Sequence, residues 1–554
     1  MDFLHTARLV LTPLSPIHVG CGEDFDPTNY LIEGQTLFGF DPGCARLPEK
    51  EAGQLGQLGD RADLLGIQRF FREQREHFLP HAQVLIPVAA GVAAEYEQSI
   101  GRVANREANG NWVFNRLFIE RASHTNGQPY IPGSSLKGAL RTAIVDRLNG
   151  GKFPLPDERG FRGNTWDSTK IEARLLKGDF ATSPLRLVKP ADLMPAGEVA
   201  RQIVYAVNQM KELVRDREGN EKQARGPTNR KECISPGQYR AFAGSVTVHD
   251  LGAHGDQKTT PENGLRPRSL ASIARDVHGY HEKRLHKELQ ILDERGFVDP
   301  DWKRFIEHLL AGELCARLAA GRAFLVRLGR YGGAESKTLS GEGVAQIKIL
   351  QGKGPDGRQR QPLVQGESKT VWLAAQHKDD RKHLLPFGWA LVEIDPQQDL
   401  VDLRAWCHRQ VSTRPDMQAI RARFAEARAA AEQRAATQRA AKEAARAAEE
   451  ARQGEEAERE RRKASLSPAM QRIEGFVDDC RKRADQLRGG KDKPHTAYHG
   501  KAKELAEEAA GWAPADREAV AQAIEEWLPR VVSIEAKTLR KAPWFAALRA
   551  AAQG

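Results

Sequence analysis

The sequence predicts an α+β core followed by an all-α extension. Two observations carry that reading. Up to about residue 413, short β-type runs interleave with amphipathic helical runs, and Gly and Pro punctuate them. Beyond it, Gly and Pro thin out and Ala, Arg and Glu take over. Interleaving with hairpins suits a partly antiparallel sheet of the ferredoxin-like type rather than a doubly wound parallel one. The expected units are a core over 1–413, a helical spacer over 414–464 and a small helical domain over 465–554. A chain of 554 residues has room for about three or four units.

The core opens with a strand over Ala7–Leu14, then a glycine-punctuated turn from Ile17 to Gly22. Tyr30–Ile32 and Gln35–Phe40 read as a hairpin around Glu33-Gly34. Leu64–Leu79 reads as a helix, with Leu64, Ile67, Phe70, Phe71 and Phe78 on one stripe. A second helix runs from about Ser135 to Leu148 on the seam Leu136, Leu140, Ile144, Leu148. Strands are expected at Leu185–Val188, Gly244–His249, Ala323–Leu328 and Ala390–Ile394. Helices are expected at Val199–Asp216, Ser269–Arg295 and Trp302–Ala320. From Arg414 to Lys463 helix propensity is high, but after Phe424 almost the only apolar residue is Ala. Without a Leu or Ile seam a strong coiled coil is not expected, so this stretch reads as a solvated spacer. The seam returns after Ser465, with Ile473, Phe476, Cys480 and Leu487, then Val520, Ile524 and Leu528, then Trp544, Phe545 and Leu548.

Composition excludes several classes. Lys plus Arg number 84 against 74 Asp plus Glu, a net charge of +10. From Arg414 onward there are 28 basic and 23 acidic residues, so neither part is simply a basic arm. The balance permits a polyanionic partner without naming one. No apolar run approaches the ~20 residues of a membrane span, and the start lacks a signal-peptide pattern. Six scattered cysteines without a CxxC argue against a zinc site or disulfide framework and suit a reducing cytoplasm. Hydrolase, metalloprotease and kinase motifs are absent, and so is the RNP signature. No cofactor or metal is expected.

Three glycine-containing segments carry the chemistry. In Ile131-Pro132-Gly133-Ser134-Ser135-Leu136-Lys137-Gly138-Ala139-Leu140-Arg141, a glycine loop runs into a helix. Free N–H groups at Gly133, Ser134 and Ser135, with Lys137 and Arg141 one turn apart, make an anion seat. It is not a Walker loop, and no Asp or Glu for magnesium lies close by, so a nucleic-acid backbone fits better than a nucleotide. An ordinary capped helix fits the same residues equally well. In the second segment, Arg327 to Thr338, a strand enters a glycine loop bearing Arg327, Arg330, Tyr331 and Lys337. Between Arg317 and Lys382 there are 13 basic and 6 acidic residues, a pattern suited to single-stranded RNA. The third segment, Thr12 to Asp26, has Gly20 and Gly22 for close backbone approach. His18 sits between apolar neighbours and reads as structural. Asp24 and Asp26 read as solvated loop acids.

Taken in order, TPLSPIHVGCG, YIPGSSLKGALRTAI, ECISPG, RLGRYGGAESKT and LPFGWALVEI resemble the RAMP proteins of CRISPR-Cas systems, above all the family of the fifth Csm subunit of type III-A effectors. The resemblance spans about residues 1–410. It implies an RRM-like (ferredoxin-like) core with large insertions, placed at the end of the filament that holds the crRNA. It implies a subunit of antiviral defence that grips the 3′ portion of the crRNA and assists its maturation by recruiting host nucleases. Its partners would be crRNA, target single-stranded RNA, the backbone RAMP subunit and a small helical subunit. Target cutting would belong to the neighbouring backbone subunit, whose Asp lies in a place comparable to Asp24 and Asp26 here, so this chain is expected to be non-catalytic. The alternative is a stand-alone RAMP endoribonuclease for precursor crRNA, but Leu384–Ile394 is glycine-poor where those enzymes carry a glycine-rich loop. The residues after Arg414 have no counterpart in the family and are left to subunit docking, RNA binding or mimicry of the small subunit.

Overall fold

The computed structural model describes residues 4–553 apart from 46, 107–111, 115–116, 161–165, 178–182, 217, 225–227, 250–268, 352–356 and 359. The chain divides into two units, Met1–Ala429 and Ala430–Gly554. In chain order, the elements that position the site are β1 (Leu4–Pro13), β2 (Gly20–Phe25), β3 (Ile119–Ala122), α1 (Gly133–Asn149), β4 (Val188–Pro190), β5 (Arg201–Met210), β6 (Asn229–Ile234), β7 (Phe242–His249), α2 (Leu270–Glu294), β8 (Ala323–Arg327), β9 (Thr370–Ala375), β10 (Leu385–Pro386) and β11 (Trp389–Ile394).

The first sheet runs β4-β7-β1-β11-β8, antiparallel at every step. Its strands are apolar on both sides because both faces are covered. Phe324, Val326 and Val392 join Leu9 and Leu11 against α1 and α2, meeting Leu136, Leu140, Ile273 and Val277. The alternate residues Leu325 and Leu391 enter a second core with Trp302, Ile306, Leu309 and Leu289. This two-period split is what a pleated strand imposes. An antiparallel sheet with α1 and α2 packed on it suits the expected RRM-like layer, with a second core covering its other face, and the mixed α+β class holds. The second sheet runs β2-β3-β6-β5-β9-β10, with only β3 and β6 parallel.

Several elements differ from expectation. Val199–Asp216 is not a helix: β5 is a central strand, and Ile203, Val204, Tyr205, Ala206 and Val207 are all buried. A strand covered on both faces loses its alternation, and its apolar run then also satisfies helical spacing. Trp302–Ala320 is two helices, Pro300–Ala311 and Cys315–Ala319, parted at Gly312. Leu185–Val188 is a 3-10 turn, Pro184–Leu187, leading into β4.

The helix α3 (Met417–Ser465) buries no residue along its length. Its first turns belong to the first unit. Arg414 donates to the carbonyls of Pro236 (2.6 Å) and Gly237 (2.5 Å), Arg421 pairs with Glu198, and Phe424 lies 6.2 Å from Phe38. In the second unit, α4 (Pro468–Leu487), α5 (Ala497–Glu508), α6 (Pro514–Val531) and α7 (Pro543–Gln553) close around Phe476, Cys480, Leu505, Ile524, Leu528 and Phe545. No helix among the described residues is long and apolar enough to cross a membrane, and all six cysteines are free.

Candidate nucleic-acid interface

The motif segments, far apart in sequence, knot together where β1 and β8 end and β11 begins. Leu14 N and Ser15 N donate to Trp389 O (2.9 and 3.1 Å), and Gly388 N donates to Pro16 O (2.8 Å). Leu328 N donates to Gly388 O (2.8 Å), and Arg330 N donates to His18 O (2.9 Å). Ile17 and Ile234 exchange both backbone bonds, and Ser123 N donates to Val19 O (2.6 Å). Gly329 (φ +79°) and Gly388 (φ +91°) are where these chains cross most closely. A Cβ at either would overlap a carbonyl oxygen, that of His18 or of Leu328. Both the left-handed backbone and the contact therefore require glycine.

Glu120, on β3, is the charge hub of this knot. Its carboxylate contacts Lys231 and Arg330 and lies 3.4 Å from His18 Nε2. The His18 contact, then Lys231, hold its carboxyl down to about 2, although burial opposes this. His18 is fully buried, and its Nδ1 donates to Glu232 O at 2.7 Å, which makes it a structural residue as its apolar neighbours suggested. Glu232 in turn pairs with Arg201 (2.7 Å) and accepts from Ala122 N (3.0 Å). Tyr331 takes a left-handed backbone (φ +67°). Its ring lies 5.2 Å from both Trp372 and Phe387, with Lys231 Nζ 5.5 Å from its centre. Arg330 remains 62% exposed despite its contact with Glu120, so a stronger anion can draw it away.

The remaining expected RNA contacts fare unevenly. Arg327 is corrected: it is buried, donates to Phe387 O (2.9 Å) and Glu288 (2.8 Å), and covers the Trp389 ring. Trp389 Nε1 also binds Glu288 (2.8 Å), so Arg327 fixes the end of β8 and offers nothing to a ligand. Lys337 is exposed on a short turn held from below. There Arg284 of α2 donates to Glu335 O (2.7 Å) and Thr338 O (2.9 Å), and Ser340 Oγ binds Asp146 of α1 (3.0 Å). At the start of α1, Gly133 N donates to Asp192 Oδ1 (2.7 Å), and a Cβ there would strike Pro190 and Ala191. The anion seat is thus partly taken by a carboxylate of the chain itself. Ser134 is exposed, and Ser135 and Lys137 are half-buried. Arg141 is exposed and paired with Glu172. Gly20 abuts Glu120, and Gly22 (φ +86°) is open to solvent. Asp24 is exposed on β2, whereas Asp26 accepts from Thr28 N and Oγ1, an ordinary turn role. Cys21, Glu23 and His124 gather closely enough to ligate an ion. However, Arg121 already donates to His124 Nε2 (2.9 Å) and Glu23 (3.0 Å), placing a fixed positive charge there.

The sequence pattern of the RAMP superfamily matches residues 10–238 of the chain. The chain is similar to the CRISPR system Cms protein Csm5 of Streptococcus thermophilus, at 30% identity over 151 residues. That alignment covers 26% of this chain and 38% of the relative, so it spans little more than a third of the relative's length. The crystal structure of T. onnurineus Csm5 aligns over 69% of this chain and 99% of its own, with TM-score 0.38 and 15% identity. A cryo-electron-microscopy structure of a Csm-crRNA-target RNA ternary complex of a type III-A CRISPR-Cas system aligns over 70% of this chain and 100% of the matched chain, with TM-score 0.34 and 17% identity.

Proposed function

We propose that the chain is a crRNA-binding subunit of a type III-A CRISPR effector, serving antiviral defence. It holds the 3′ part of the crRNA and assists its maturation without doing the chemistry itself. Its partners are crRNA, target RNA, a backbone RAMP subunit and a small helical subunit, with host nucleases recruited for trimming. The observation that carries this reading is the knot of glycine loops around Glu120. It puts an exposed Arg330 beside Glu120 of β3 and the ring of Tyr331 beside Lys231 of β6, two strands within the stretch that matches the RAMP superfamily. Exposed cations on a fixed backbone suit phosphates, and an adjacent aromatic suits an unpaired base. Of the residues at the start of α1, Lys137 supports the reading best, because it has no ion-pair partner among the described residues.

The test is binding of labelled repeat-containing RNA to the full chain. Replacing Lys137, Arg141 and Arg330 together by Glu is expected to weaken binding at least tenfold. The log–log salt slope should also fall by about 2, since each phosphate contact to a single strand contributes ~0.7. Unchanged affinity would remove these residues from the interface. Metal-independent cleavage of the RNA at one position would overturn the non-catalytic assignment.

A further inference from the structure

The second unit carries a charge cluster that the proposed core interface does not use. Between Arg481 and Lys503 there are eight Lys or Arg and only two Asp. This is denser than the basic stretch of the core. The cluster sits on the turn from α4 to α5. Arg488 takes a left-handed conformation at the end of α4, and Gly489 (φ +90°) continues the reversal.

The turn is held from inside. Asp492 N donates to Val531 O (2.8 Å), and Ser533 N donates to Asp492 O (2.8 Å). The Asp492 carboxylate takes two bonds from Arg483 (2.8 and 2.9 Å). His495 N donates to Nδ1 of the buried His499 (3.0 Å), anchoring the far end. Asp492 thus points inward, and its neighbours Lys491 and Lys493 stand exposed on either side.

Three of the eight cations have acidic partners: Arg481 with Asp478, Arg483 with Asp492 and Lys501 with Asp479. No acidic partner is found among the described residues for Lys482, Arg488, Lys491, Lys493 or Lys503. Other arginines in this unit do have acidic partners, such as Arg446 with Glu450, Arg472 with Glu508 and Arg540 with Glu525. Five uncompensated cations on a pinned backbone repel one another, and an external polyanion relieves that. The Gly489-Gly490 pair lets a backbone approach closely. Tyr498 is half-buried, with Arg483 5.9 Å and Lys501 5.2 Å from its ring centre. Phosphates at regular spacing with an accessible ring favour a nucleic-acid strand over an acidic polypeptide, which offers no base to stack.

We propose that the turn from Arg488 to His495, with the flanking ends of α4 and α5, is a second RNA-binding surface. It rests on no feature of the core. The test uses the full chain with fluorescent poly-uridine RNA, read by anisotropy across a salt titration. The variants are Lys482→Glu/Arg488→Glu/Lys491→Glu/Lys493→Glu and the neutral pair Lys491→Gln/Lys493→Gln. The fourfold reversal is expected to lower the salt slope by about 3, at ~0.7 per lost phosphate contact, and the neutral pair by about 1.4. Poly-glutamate should fail to displace the RNA. A salt slope unchanged in both variants, or displacement by poly-glutamate as effective as by unlabelled RNA, would overturn the proposal. The Lys137, Arg141 and Arg330 reversal measured alongside separates the two readings: each surface loses its own contribution and leaves the other's in place.

Discussion

Two arginines three residues apart have opposite fates, and only their surroundings distinguish them. Arg327 lies against Trp389 and Glu288 inside the fold, while Arg330 reaches out past Glu120. Arg327→Met leaves Glu288 without its cation and is expected to cost about 3–5 kcal/mol in urea denaturation, with the salt slope of RNA binding intact. Arg330→Glu should do the reverse. Glu120 gives the core a pH dependence. Its folded value, about 2, lies below the ordinary carboxyl value, so its contribution is complete above pH ~4.5 and is lost as pH falls towards 2. Glu335 acts in the same window: burial raises it, but Lys211 and Ser368 outweigh burial and bring it to about 2. Glu120→Gln should therefore flatten the fall in melting temperature between pH 4.5 and 3. An unchanged profile would mean that Glu120 is not the acid-sensitive group. The loop residues Gly329, Arg330 and Tyr331 were legible from the motif. Glu120 and Lys231 were not, because nothing near them in sequence announces partners more than a hundred residues away.

At the scale of elements, legibility followed exposure. Strands bounded by glycine turns, such as β8 and β11, declared themselves through short apolar runs. β6 hid because its Lys231 and Glu232 are buried charges paired across the sheet, so its composition reads as a surface loop. β5 hid for the opposite reason, being apolar on both faces. In the tail, α4, α6 and α7 were legible because each packs an apolar stripe on a single core, whereas the Ala- and Glu-rich α5 was not read. The crossing of the loops after β8 and before β11 gives a further expectation. Gly329→Ala meets both a disallowed backbone and the His18 carbonyl, so it should destabilise the first unit by about 1–3 kcal/mol. A urea midpoint equal to wild type would mean that the crossing relaxes freely.

For the whole molecule, the division at Ala429 matters more than the composition shift near residue 413. Arg414, Arg421 and Phe424 still belong to the first unit. A chain ending at Ala429 is expected to unfold with the cooperativity of the intact first unit, whereas one ending at Thr413 should lose about 1–3 kcal/mol with these anchors. Identical urea curves for the two truncations would contradict this.

The pairing of β1 also bears on how the protein is made. Its two neighbours in the sheet, β7 and β11, end at residues 249 and 394. At ~5–20 residues per second, β1 leaves the ribosome about 20–80 s before its last partner exists. For that interval it is a nascent apolar strand with an open edge, and a chaperone or fast local collapse has to guard it. The central strand of the finished sheet is therefore the earliest made and among the last to be secured.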